Sequence, residues 1–154
     1  MQNKQGFTVI ELVIVIVILI IIAGVVVIRW PSSAIELNIK AQQVASDIRY
    51  TQSLSMSMNK RYRIYFYTND YSLKDNNDAS IKHPATHTPD DIPLGSGITF
   101  DKPPTPDCIA FDGRGTPCDC TTGNALGNST VSLVVGAETD NITVSQTTGH
   151  VEVS

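Results

Sequence analysis

Three cysteines, Cys108, Cys118 and Cys120, crowd into one late segment of a 154-residue chain. Thiols at such spacing either bridge one another or hold a metal. Cys118-x-Cys120 with Cys108 and the distant His150 is a loose donor set for zinc. His83 and His87 lie four apart, but in a proline-containing stretch where helical spacing has no meaning. No metal and no cofactor is expected. In an oxidising compartment a disulfide is the stronger reading. Cys108–Cys118 or Cys108–Cys120 would close a loop of about ten residues, worth about 2–3 kcal/mol by chain entropy. The spacing does not choose between them. An odd count leaves one thiol over, or paired outside the chain.

The second group is cationic. Lys60, Arg61 and Arg63 alternate with Tyr62, Tyr65 and Tyr67, and Arg114 stands alone in an Asp-Gly-Arg-Gly turn. Cations hold phosphates and rings stack on bases, so these four are the candidate DNA contacts. The plainer reading is a strand with a charged, aromatic outer face. The net charge of −4 and pI near 5.2 argue against a general nucleic-acid binder. No nucleophile elbow, zinc-protease helix or phosphate-binding glycine loop occurs, and the aspartates scatter over loops. Catalysis is not expected.

The third is a single carboxylate, Glu11, inside an apolar run from Phe7 to Ile28. As a helix the run is roughly 33 Å long, enough for the hydrocarbon of a bilayer. Arg29 and Trp30 follow at interface depth. A helix is required there, because a lone spanning strand leaves its backbone unpaired in lipid. A secretory signal peptide has a shorter core and a small-residue site after it, and neither fits. A plain signal anchor explains the length but not Glu11. A carboxylate in a spanning helix costs about 2.5–3.5 kcal/mol. Its place near the helix start, where the helix dipole favours an anion, offsets part of that.

Gly6-Phe7-Thr8-Val9-Ile10-Glu11, directly ahead of the apolar run, resembles the class III signal of type IV pilins and pseudopilins. The resemblance implies cleavage between Gly6 and Phe7 by a prepilin peptidase, and N-methylation of Phe7 by the same type of enzyme. The new amine and Glu11, four residues on, can pair within a subunit or between subunits. An intersubunit pair offsets two poorly solvated charges and sets the axial register of stacking helices. The leader holds Lys4 as its one cation, and Pro31 lies later than the helix proline of many major pilins.

Behind the anchor, Leu37, Ala41, Val44, Ile48, Thr51, Ser55 and Met58 repeat at steps of four and three, which predicts a helix over 32–59 with one semi-apolar stripe. Ser33 and Glu36 suit a capping box. Arg61–Tyr67 alternates as a strand, with Tyr62, Ile64 and Phe66 on one face and Arg61, Arg63, Tyr65 and Tyr67 on the other. Tyr71–Lys74 pairs back as a hairpin, Asp75–Pro93 reads as a long loop, and short strands are expected at Gly97–Phe100, Cys108–Phe111, Thr130–Val135, Asn141–Ser145 and His150–Val153.

This order is similar to the GspH/FimT-type minor pseudopilins and minor pilins. The residues that carry it are Ala41–Arg49, the strand from Arg63, Ile92-Pro93-Leu94-Gly95 with Ile98-Thr99-Phe100, Ile109-Ala110-Phe111 with Gly113 and Gly115, and Thr148-Gly149-His150-Val151. The expected organisation is a leader at 1–6, a transmembrane and assembly helix at 7–30, an amphipathic helix at 31–59 and a β-rich soluble head at 60–154. The fold class is α+β, a long N-terminal helix on an antiparallel β-sheet head. The resemblance implies a structural subunit of a type II secretion pseudopilus or a type IV pilus. Its expected place is a bacterial inner membrane, single-pass, with the head in the periplasm or on a surface filament. Its partners would be the peptidase and methyltransferase, other pilins or pseudopilins, and the inner-membrane assembly platform. The alternative is a FimT-like minor pilin whose head binds DNA or mediates adhesion.

Overall fold

The computed structural model describes residues 8–28, 32–89, 91–95, 97–101 and 107–154, and of residues 24–28 and 32 the backbone only. The expected leader with Gly6, together with Phe7, Arg29, Trp30 and Pro31, lies outside the described residues. The chain divides into two units, Met1–Ser32 and Ser33–Ser154.

In the first unit helix α1 runs Val9–Ile28. Its many β-branched residues have no partner strand to pair with, and a helix satisfies the backbone within the segment. Every large apolar side chain from Val9 to Ile22 is exposed, between 45% and 80%. Among the described residues no helix is long and apolar enough to cross a membrane. The described side chains of α1 stop at Ala23.

In the second unit helix α2 spans Ser32–Met58. It starts one residue before the expected cap, so Ser33 lies inside the helix. The predicted stripe is the buried one: Leu37, Ala41, Val44, Ile48, Thr51 and Ser55. Met58 is the exception, 57% exposed in the last turn. The buried hydroxyls are satisfied inside the helix, Thr51 donating to the Asp47 carbonyl at 2.8 Å and Ser55 to the Thr51 carbonyl at 3.0 Å. Asn59 ends α2 in a left-handed conformation (φ 49°), and the Lys60 N–H returns to the Ser55 carbonyl at 3.2 Å. That is a Schellman closure with asparagine in the place glycine usually takes.

Among the described residues nine short strands follow, and they form two antiparallel sheets where the sequence suggested one. The first contains β1 (Tyr62–Phe66), β2 (Asp70–Lys74), β3 (Ile92–Pro93), β5 (Cys108–Phe111) and β6 (Pro117–Cys118), in the order β3-β2-β1-β5-β6. The second contains β4 (Thr99–Phe100), β7 (Ser129–Val135), β8 (Glu138–Val144) and β9 (Val151–Val153), in the order β4-β7-β8-β9. Ile92–Pro93 is therefore strand where a loop was predicted, and Pro117–Cys118 was not predicted at all. Both are edge strands, where a proline's missing N–H costs the ladder nothing.

Ile64 and Phe66 face Leu73 and Tyr71 across β1–β2, and Ile64 faces Ile109 across β1–β5. These residues join the α2 stripe and Phe100, Val131, Leu133, Ile142 and Val144 of the second sheet in one core. Each fully buried Val, Leu, Ile or Phe there contributes about 1.5–3 kcal/mol relative to exposure. Phe100 stands edge-on to Phe66 at 5.2 Å and to Tyr71 at 6.5 Å between ring centres.

Candidate functional site

Thr8 and Glu11 open α1. The Glu11 N–H lies 3.4 Å from the Thr8 hydroxyl, which in turn donates to Glu11 Oε2 at 3.5 Å. The Glu11 N–H also reaches the Thr8 carbonyl at 3.1 Å. Thr8 is thus an N-cap whose hydroxyl also meets the Glu11 carboxylate, one half of the Thr-x-x-Glu capping pattern, which the membrane reading of Glu11 passed over. Both side-chain contacts are long for hydrogen bonds, so the carboxylate keeps most of its capacity for a stronger, cationic partner.

The structure places the four candidate DNA contacts in three different settings. Arg63 is a correction: the alternation put it on an open outer face, yet it is 8% exposed. Its guanidinium meets Asp78 Oδ1 at 2.6 Å, beside the carbonyls of Asp75 and Asn76. The Asp75–Ala79 turn folds back over β1 and covers it, with the Asp75 carboxylate accepting from the N–H groups of Asn77 and Ala79. Arg114 is exposed, but holds Asp112 at 3.2 Å. Lys60 and Arg61 line a depression of about 380 Å³ with Asn59, Asn76, Asp112 and Gly113. Among the described residues no ion pair uses either of them.

The cysteines lie on the same face of the first sheet as Arg63 and Tyr65, opposite the main core. β5 and β6 put Ala110 opposite Cys118. One pleat on, Cys108 and Cys120 meet in a disulfide, and Cys118 is a free, buried thiol. Together with Ala110 and Tyr65 they form a second, small core. Burial pushes the Cys118 thiol up from its ordinary pKa, against a weaker opposing pull from Arg61. A raised pKa and burial make this an unreactive thiol.

One cluster was missed in the sequence. Asp47, on the buried side of α2, is 5% exposed. Its Oδ2 accepts the Tyr71 hydroxyl at 2.5 Å, and its Oδ1 lies 3.0 Å from His83 Nε2. The Ala85 N–H donates to His83 Nδ1 at 3.2 Å, which assigns the ring proton to Nε2 and makes it a donor to Asp47. A depression of about 570 Å³ beside it is lined by Gln43, Ser46, Asp47, His83, Pro84 and Ala85. Burial first, then the Asp47 charge, push the Tyr71 hydroxyl far above its ordinary pKa. Each polar group is spent on another, so the cluster ties the 81–89 segment to the helix rather than presenting a reactive atom. The available signal was Asp47 itself, set between Val44, Ala45 and Ile48 on an apolar stripe.

Comparison with known proteins places this geometry. Residues 1–27 match the prokaryotic N-terminal methylation motif. No curated protein matches the chain. The type IV minor pilin FimU of Pseudomonas aeruginosa has a similar fold in two crystal forms. In one the TM-score is 0.57 at 17% identity, over 77% of this chain and 88% of that one. In the other it is 0.55 at 16%, over 77% and 92%. The minor pseudopilin EpsH of the Vibrio cholerae type 2 secretion system aligns with a TM-score of 0.54 at 12% identity, over 77% of this chain and 96% of that one. The motif implies processing by a prepilin peptidase, and the head has the α+β pilin fold. The chain thus carries the N-terminal methylation motif at its start and, behind it, the α+β fold also seen in the minor pilin FimU and the minor pseudopilin EpsH.

Proposed function

We propose that the chain is a minor subunit of a type IV pilus or type II secretion pseudopilus, held in the inner membrane by residues 7–30 until its N-terminal helix passes into a filament. The observation that carries the reading is the joining of an exposed apolar helix to one under-used carboxylate. From Val9 to Ile22 α1 exposes its large apolar side chains all round, and among the described residues the Glu11 carboxylate has only the long contact to Thr8. Cleavage between Gly6 and Phe7 would put a methylated, cationic amine four residues from Glu11. A neighbour's amine would then neutralise that carboxylate where water is scarce, and the pairing would fix the axial step between subunits. The disulfide between Cys108 and Cys120 suits a head on the oxidising side of that membrane.

The test is in cells. Mass spectrometry of the mature chain should show methyl-Phe7 at its start, and Glu11→Ala should leave the processed protein in the membrane but out of sheared filaments. An intact Met1 terminus, or normal incorporation of Glu11→Ala, would overturn the proposal.

A further inference from the structure

Cys108, Cys118 and Cys120 stand on one face of one hairpin. β5 and β6 pair Ala110 with Cys118 and Phe111 with Pro117. Continued by two residues, that register sets Cys120 opposite Cys108, where the bridge joins them with the Cα atoms 6.2 Å apart. Cys118 is then diagonal to Cys108, about 7–8 Å away between Cα atoms, and about 7 Å from Cys120 along its own chain. All three are buried, in the small cluster closed by Ala110 and Tyr65. A two-residue slip of β6 would leave every side chain on its own face and bring Cys118 opposite Cys108.

The ties on β6 are few. It is two residues long, at the edge of its sheet, with a single bridge from Cys118 to Ala125 beyond it. The turn before it is fastened by Asp112, which accepts from the Arg114 and Thr116 N–H groups, and by Gln52, which donates to the Gly115 carbonyl at 2.8 Å. Short elements with few ladder bonds open at a fraction of the global stability. A cation shares the row: Arg63 stands opposite Ala110, is 8% exposed, and its Nε–H has no partner among the described residues. Burial raises the pKa of the Cys118 thiol; Arg61 pulls against it, Asp112 and Asp119 add to it, and Arg63 opposes it. Near neutrality the closed head therefore keeps this thiol protonated, and alkali or opening of the edge releases the thiolate.

We propose that Cys118 is an internal nucleophile for the neighbouring bridge, so that Cys108 is shared between two partners. The Cys118 thiolate attacks Cys108 Sγ. A bond forms between these two sulfurs, the Cys108–Cys120 bond breaks, and Cys120 leaves as the thiolate and takes up the proton that Cys118 gave away. No oxidant or reductant is consumed. Attack on Cys120 is not the route: a slip brings Cys118 to Cys108, but none shortens its distance from Cys120 on the same strand. The exchange moves the free thiol from within β6 to the residue after its end and leaves the edge bridged. It concerns the head alone and does not depend on the filament reading.

The experiment uses the oxidised full chain in detergent micelles, without added thiol. Samples held at about pH 7, 8 and 9 are quenched in acid, unfolded, and labelled with a maleimide at mildly acid pH. Fragmentation of the labelled peptide in the mass spectrometer reads whether Cys118 or Cys120 carries the label. At the start it should sit on Cys118. It should then appear on Cys120 at a rate that rises about tenfold per pH unit below the thiol's pKa and is independent of protein concentration. Cys120→Ser, reduced and then given oxidised glutathione, should close Cys108–Cys118 and keep a cooperative urea transition. Cys118→Ser should take no label at any pH. A label that stays on Cys118 throughout would overturn the proposal, as would transfer that speeds up with protein concentration, or a folded Cys120→Ser head that keeps two free thiols.

Discussion

Helices α1 and α2 are of similar size, 20 and 27 residues, and follow each other in the chain, yet they solve opposite problems. α2 sorts its residues by face. Leu37, Ala41, Val44 and Ile48 are buried, with Asp47, Thr51 and Ser55 on the same side, while Ile35, Ile39 and most of the other polar residues stay outside. That sorting lets it close a core with two sheets from within the same unit. α1 does not sort; its large apolar side chains from Val9 to Ile22 are exposed on every side. A uniform surface selects no single packing partner, so its surroundings must come from lipid or from other helices. The head carries its stability inside the chain, and α1 takes its stability from outside. The one polar mark on α1, Glu11, is then the feature able to select a register.

The hardest blow to this contrast is in the core. Phe100→Ala removes the ring that contacts Phe66 and Tyr71 between the two sheets, and should cost the head about 3–5 kcal/mol. Urea titration of the full chain in detergent, followed by circular dichroism, checks it. The head's transition should move to lower urea, and the helical signal of α1 should survive. If both were lost at the same midpoint, the two units would be one cooperative body and the comparison would fail.

A smaller blow falls on the edge of the first sheet. Cys108→Ser opens the bridge to Cys120, a closure over a sequence separation of 12, and should cost about 3 kcal/mol. Cys118→Ala keeps the bridge and should cost clearly less, which the same titration under non-reducing conditions reads directly. Equal losses would mean that the small cysteine core, not the covalent link, stabilises this edge.

Legibility in the sequence follows the range of the interaction. The α2 stripe and the β1–β2 hairpin depend on neighbours within a few residues, so spacing reveals them; the Thr8 cap has the same short range but was hidden by the more demanding question of a carboxylate in an apolar run, and the box expected at Ser33 and Glu36 falls inside the helix. The division into two sheets depends on pairings such as Thr99 with Val134, which no local period encodes. Arg63 shows the same limit. Alternation placed it correctly on the face opposite Ile64, but its burial comes from Asp78, 15 residues on, folding back over it. The tie of Asp47 to Tyr71 and His83 spans 24 and 36 residues. A carboxylate on an apolar stripe implies buried donors, a signal the sequence reading did not use, and only the fold says which they are.

The subtlest separation of the two units is by alkali. In the head, burial raises the pKa of both Cys118 and Tyr71. Each group therefore binds its proton more tightly folded than unfolded. The stability this represents is fully present below the unfolded pKa, about 8.5 for the thiol and 10 for the phenol, and is lost as pH rises above it. The urea midpoint of the head should hold level to about pH 8 and then fall, by at most about 1.4 kcal/mol per pH unit for each group. Cys118→Ala should remove the first part of the fall and Tyr71→Phe the later part. The rest of the chain is common to all three proteins, so the differences isolate the two buried groups. α1 has no thiol and no phenol between Val9 and Ile28, and its helical signal should stay flat across the range. A parallel decline in α1 would mean that its helix leans on the head's buried hydroxyl and thiol after all, and the contrast between a self-supporting head and an externally supported rod would have to be withdrawn.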